Sequence, residues 1–187
     1  VLSNILDVTE KTYMYQELQY SEEKFSRAFH ASPEAMSINS LYAGKYEEVN
    51  ESFCQVTGYS RDEVIGKSTV ELEIWANPVQ RKEMIHTLVE GDIVRQQECD
   101  FKKKNGTVGT GLFSAEMIQF DGRSYVLSSV LDITQRKKAE EALNTQKERL
   151  RVTLQSIGDA VISTDIQGNI IMMNQAAEEL TAWLQSE

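Results

Sequence analysis

Few side chains in this 187-residue sequence are of types that do chemistry, and their spacing assembles none of the usual sites. The two histidines, His30 and His86, and the two cysteines, Cys54 and Cys99, lack the Cys/His spacing of a metal site. The cysteines are expected to be reduced thiols in the core of a cytosolic domain, inert because nothing nearby lowers their pKa. No nucleophile sits beside a base, no paired carboxylates fall in a predicted cleft, and no glycine-rich loop could cradle a phosphate. An enzyme reading therefore has no residues to stand on. What does recur is a spacing: Asp132 and Thr134 repeat Asp7 and Thr9, each pair at the foot of a charged helical stretch. A threonine there can cap the helix start, so Thr9 and Thr134 are candidate caps.

That spacing belongs to a longer repeat. Val1-Leu-Ser-Asn-Ile-Leu-Asp-Val-Thr-Glu10 returns as Val126-Leu-Ser-Ser-Val-Leu-Asp-Ile-Thr-Gln135, an offset of 125 residues that is the size of a small domain. The offset continues through Phe25 and Leu150, Phe29 and Leu154, and Met36 and Val161; Asn50 matches Asn174 after a one-residue slip. The expected division is residues 1–9 as the last strand of a preceding domain, 10–32 as a helix, 33–134 as one complete domain, 135–157 as a second helix, and 158–187 as the start of a following domain.

Both helices carry a narrow seam. Met14, Leu18, Ser21, Phe25, Ala28 and Ser32 recur in steps of four and three, as do Ala139, Leu143, Gln146, Leu150, Thr153 and Ile157. Two seam residues per heptad amid charge is a coiled-coil pattern, so a homodimer through Met14–Phe29 and Ala139–Ile157 is expected over a helix lying on its own core. Between the helices, short strands are expected at 34–40 and 45–50, helices after Asn50, Ser60 and Asn77, and three longer strands at 94–103, 107–120 and 123–133. Asn105-Gly106 and Asp121-Gly122 mark hairpins, and Lys102-Lys-Lys104 is expected to be a solvated hairpin tip. Two strands, short helices, then three antiparallel strands make an α+β domain.

The net charge of −10 leaves no basic stripe for nucleic acid. No apolar run approaches the roughly 18 residues of a membrane span, so no membrane contact by this segment is expected. The chain starts inside a repeat, and this says nothing of membrane anchoring upstream.

In order and spacing, Asn50-Glu-Ser-Phe53, Val56-Thr-Gly-Tyr-Ser-Arg-Asp-Glu-Val-Ile-Gly66, Trp75, Lys104-Asn-Gly-Thr107 and Asp132-Ile-Thr134 resemble the PAS family of sensory domains, in the form whose C-terminal strands are often called PAC. The resemblance implies a curled five-stranded antiparallel sheet with short covering helices, flanked here by the long linker helices. It also implies a non-catalytic sensory relay module of a prokaryotic signalling protein, such as a two-component histidine kinase or a diguanylate cyclase, with the output domain elsewhere. Neither histidine is followed by the acidic residue of a phosphoacceptor box, and no cyclase Gly-Gly-Asp/Glu-Glu-Phe stretch exists. The family couples its sheet to the following helix through the Asp and Thr at Asp132/Thr134, with counterparts Asp7/Thr9.

Flavin photoreceptors of the family place a reactive cysteine just after the position of Gly66, where this chain has Lys67-Ser-Thr-Val-Glu71. Haem sensors take a histidine from the helix matching Pro78–Glu90, at a place held by Gln80 and Arg81; His86 is better read as a satisfied or surface histidine. No cofactor is expected, and an unidentified small molecule is left open. Its candidate lining is Met36, Ile38, Phe53, Val56, Trp75, Ile85, Leu88, Phe113 and Ser128. Apolar residues at such spacings usually fill a core, and a filled core is the expectation. Gly109 and Gly111 would either leave a pocket or admit a close neighbour. The alternatives to a sensory relay are a dimerisation or spacer module without ligand, and a chromophore sensor.

Overall fold

The computed structural model describes residues 2–183, with side chains from residue 11 onward. The chain divides into two units, Val1–Thr134 and Gln135–Glu187. The first begins with helix α1 (Leu2–His30), followed by β1 (Ala35–Ser40), β2 (Tyr46–Val49), α2 (Glu51–Thr57), α3 (Arg61–Val64), α4 (Pro78–Val89), β3 (Val94–Lys102), β4 (Val108–Phe120) and β5 (Arg123–Asp132). The five strands form one antiparallel sheet in the order β2-β1-β5-β4-β3. The second unit holds α5 (Thr134–Ser156), which opens at the boundary residue, then β6 (Ile162–Thr164), β7 (Ile170–Met173) and α6 (Gln175–Thr181).

Local chemistry explains most boundaries. Asn77 accepts from the Val79 N–H at 2.9 Å, and Pro78, which has no N–H to lose, takes the first helical position of α4. Gly58 closes α2 with φ 79°, a left-handed conformation that costs glycine nothing. Glu63 reaches back to the Ser60 N–H at 3.0 Å and so fixes the start of α3. The segment before α4 is bound to the edge of β3, where the Lys102 N–H donates to Ile74 O at 2.8 Å and the Ala76 N–H to Asp100 O at 3.0 Å.

One buried side chain ties these pieces together. Asn50, 1% exposed, accepts from the Met36 N–H at 2.9 Å and the Phe53 N–H at 2.8 Å through Oδ1. Its Nδ2 donates to Phe29 O at 3.0 Å and Glu34 O at 2.9 Å. A single amide thus joins the end of α1, the start of β1 and the N-terminus of α2. Asn174 repeats the arrangement in the second unit, accepting from Val161 and Ala177 N–H and donating to Leu154, Ile157 and Asp159 carbonyls.

Three expectations need correction. Residues 2–9 are helical and continuous with α1, not a strand. None of the described strands pairs with this stretch, and a helix satisfies its backbone groups within itself where a lone strand cannot. Lys102, Lys103 and Lys104 do lie at a solvated hairpin but are not a free basic run: they pair with Glu73, Asp132 and Glu63 respectively. Met36 and Ile38 sit at the more exposed positions of β1, whose buried positions are Ala35, Ser37 and Asn39. Asn50 holds the Met36 backbone from the side, and this fixes the parity of the strand.

Replacing Asn50 by Ala leaves two buried N–H groups and two carbonyls without partners. The expected cost is about 3 kcal/mol or more, and in a unit of this size a melting temperature lower by on the order of 12 °C or more. Thermal unfolding followed by circular dichroism measures it, and an unchanged transition would show the amide to be dispensable.

Candidate functional site

A cavity of about 100 Å³ lies between the inner face of the sheet and helices α2 and α4. The expected filled core is therefore not what the structure holds. Of the residues expected to line a pocket, Phe53, Val56, Trp75, Ile85, Leu88, Phe113 and Ser128 do so, while Met36 and Ile38 do not. Trp75 meets the edge of Phe113 at 5.1 Å between ring centroids, and Met84 and Leu88 of α4, both buried, complete an apolar wall.

The opposite wall is polar, and of it only Ser128 was expected from the sequence. Cross-strand pairing puts Ser37 of β1 directly opposite Ser128 of β5. Their hydroxyls share a hydrogen bond at 2.9 Å, and the Ser37 hydroxyl donates to Asn39 Oδ1 at 2.8 Å, so Ser128 must supply the proton between the serines. Tyr46 lies at the same end. Burial pushes its hydroxyl well above the ordinary phenol range, with Asn39 and Arg81 offsetting only part of the effect, so it stays a neutral phenol. Arg81 of α4 reaches in beside it, its Nε donating to Thr69 Oγ1 at 2.9 Å. Hydrophobicity alone favoured Met36 and Ile38. The usable signal was Ser128, whose inward placement fixes the inward parity of its partner Ser37.

The second constellation lies where the sheet meets α5. Asp132 Oδ1 accepts from the Thr134 N–H at 2.9 Å, so Asp132 rather than Thr134 caps this helix start. The Thr134 hydroxyl turns back to β4, accepting from the Thr110 N–H at 2.9 Å and donating to Thr110 O at 3.3 Å. Asp132 Oδ2 pairs with Lys103 Nζ at 3.2 Å. Gly109 and Gly111 permit this close approach. A Cβ on Gly109 would stand 2.6 Å from Phe101 Cζ and 2.9 Å from Thr134 Oγ1, and one on Gly111 would stand 2.5 Å from Val130 Cγ1. They admit neighbours and leave no void. The counterparts Asp7 and Thr9 fall outside the residues whose side chains are described.

Neither cysteine is activated. Burial pushes the Cys99 thiol up to about 11 and raises that of Cys54. His86 lies on the surface, 3.4 Å from Glu90. Among the described residues no cluster of three or more His, Cys, Asp or Glu side chains could hold a metal ion.

At the junction, partial burial raises the Asp132 carboxyl, but the hydrogen bonds from Thr134 and the Lys103 contact outweigh it and hold the group below its ordinary value of 3.8. A depressed folded-state pKa contributes stability that is complete above the unfolded value and is lost as pH falls through the folded one. Asp132→Asn keeps an acceptor for Thr134 and removes the charge. It is expected to cost about 1 kcal/mol or less at neutral pH, since the pair is partly exposed, with the difference vanishing in acid below the carboxylate range. Urea unfolding across pH checks this, and a difference that persists in acid would assign it to packing.

Residues 33–135 match the family model described as PAS domain, and residues 148–187 match the one described as PAS fold. The chain is 32% identical over 136 residues to the methyl sulfide methyltransferase-associated sensor of Methanosarcina acetivorans, covering 71% of this chain and 13% of that protein. It is 46% identical over 57 residues to the probable diguanylate cyclase DgcE of Escherichia coli, covering 30% of this chain and 5% of the relative. The chain thus spans only a small part of the curated relatives it matches. In fold it resembles the crystal structure of the PAS domain of an HTR-like protein from Haloarcula marismortui, at a TM-score of 0.51 and 22% identity, covering 65% of this chain and 99% of that one. With more than half of its residues in one family match and a five-stranded antiparallel sheet under short helices, the chain belongs to the PAS domain family.

Proposed function

We propose that the chain is a non-catalytic sensory relay module of a larger signalling protein, one that passes a change in its sheet through paired linker helices to an output domain. The observation that carries this reading is the junction: Asp132 and Thr134 bind the last strand, the neighbouring strand β4 and the base of the β3–β4 hairpin to the first residue of α5. A shift in the sheet has a short, hydrogen-bonded route to that helix. The cavity behind the sheet favours sensing over a pure spacer, and its volume of about 100 Å³ is well below the roughly 300 Å³ and more that larger ligands such as chromophores occupy.

Helix pairing is supported by exposure. Met14 at 65%, Leu18 at 55%, Leu143 at 52% and Leu150 at 59% are open to solvent, as an unpaired seam would be, and α1 also exposes Tyr13, Tyr15 and Tyr20 beside its seam. In the proposed arrangement 10–32 and 135–157 are linkers, the first helix running back through residues 2–9, 33–134 is the complete domain, and 158–187 begin the next. The repeated asparagine arrangement at Asn50 and Asn174, and the second family match, support that division. Similarity to a sensor and to a probable diguanylate cyclase supports a signalling parent, which we take to be a protein such as a histidine kinase or a diguanylate cyclase with this segment inside the cell. No helix among the described residues is long and apolar enough to cross a membrane.

In the parent protein, Asp132→Ala is expected to leave folding and dimerisation intact while altering output. Thermal melts and sedimentation check the first part, and an assay of output activity the second. Unchanged signalling by a folded, dimeric variant would sink the relay.

A further inference from the structure

We propose that the cavity of the first unit binds a small organic carboxylate, with the acid group on Arg81 and the apolar body against Trp75, Met84 and Phe113. The inference rests on the sensory reading for its purpose, but its chemistry is argued from the cavity alone. Among the described residues that line the cavity, Arg81 is the one that carries a charge, and no Asp or Glu lines it. The chain as a whole has 29 acidic residues and 19 basic ones, so acidic partners are plentiful elsewhere. Arg27, Arg61, Arg136 and Arg151 have each found one on the surface. Arg81 is half-buried, and among the described residues no carboxylate forms an ion pair with it.

A guanidinium offers five N–H donors, and Arg81 spends one on Thr69. A partly desolvated cation with donors to spare is matched by a carboxylate, which accepts in the same plane through two oxygens. The neutral Tyr46 hydroxyl at the same end adds a donor that a carboxylate can also use. A cationic ligand would meet the guanidinium with no counter-charge in the wall, and a sugar would bring several hydroxyls against a mostly apolar lining that cannot satisfy them. The apolar side fixes the rest of the ligand. The cavity volume of about 100 Å³ is smaller than an engineered apolar cavity of roughly 150 Å³ that takes up benzene, so the body it buries is at most one ring or a short chain. The competing explanation is structural. Arg81 Nη2 lies 3.0 Å from where a Cβ on Gly44 would be, so the side chain could serve only to hold the β1–β2 turn.

The test is calorimetric titration of the full chain with benzoate and hexanoate, each set against its uncharged amide, benzamide and hexanamide. An acid is expected to bind and raise the melting temperature while the matching amide does neither. Arg81→Gln is expected to weaken acid binding about tenfold or more, and Arg81→Lys to retain part of it. Equal binding of acid and amide, no binding of either acid at millimolar concentration, or full acid binding by Arg81→Gln would overturn the proposal. A lower melting temperature in Arg81→Gln with no response of the unaltered chain to acid would assign Arg81 to holding the turn. The acid–amide contrast is read on the unaltered chain and so does not depend on how stable the variant is. No output activity enters the measurement, so its failure leaves the relay reading standing, and failure of the relay leaves this binding intact.

Discussion

A protein interior tolerates a primary amide only when both ends of it are satisfied, and the Asn50 side chain meets that condition by bonding three separate segments at once. The consequences spread outward from it. The bond from the Met36 N–H sets which way each residue of β1 faces, so Ser37 and Asn39 point to the cavity. The bond to Phe29 O fixes where α1 stops, and the bond from Phe53 N–H starts α2, the helix that closes one side of the cavity. The cavity wall, α1 and the covering helix α2 therefore share one anchor. The same set of bonds at Asn174 shows that the sequence builds this anchor twice.

From that anchor the sheet leads to the start of α5. Strand β5 pairs with β1 on one side and β4 on the other, so the Ser37–Ser128 contact and the Gly111–Asp132 pairing lie on one strand, four residues apart. The two glycines of β4 matter because of what they admit: the Phe101 ring, the Val130 side chain and the Thr134 hydroxyl. Lys103 stands over the Phe101 ring at 5.5 Å and ends on Asp132. In the proposed relay this packed and hydrogen-bonded corner is the element that a change in the cavity would bias.

What could be read in the sequence was whatever is encoded locally. Asn50, Asn77 with Pro78, Gly58 and the Asn105-Gly106 hairpin mark their elements by their own backbone chemistry, and the observed ends fall within a residue or two of the expected ones. The apolar lining at Phe53, Trp75, Leu88 and Phe113 was legible from periodicity. The face of β1 was not, because both alternations of Ala-Met-Ser-Ile-Asn-Ser carry apolar residues and a hydrogen bond from fourteen residues away decides between them. Lys103 and Arg81 were illegible for a related reason: a long cation reaches a partner or a cavity that only the tertiary fold brings near. Residues 2–9 carried a strand-like pattern that the described structure gives no partner.

In the proposed relay the cavity wall and the start of α5 are coupled through β5. Amide hydrogen exchange at Thr110, Ile133 and Thr134, compared between the unaltered chain and Ser128→Val, tests it most directly. Ser128→Val alters the polar wall without touching the junction residues. Coupling through β5 would change protection at those three amides beyond any change at the Gly106 hairpin tip. Protection that shifts equally everywhere, or not at all at the junction, would contradict it.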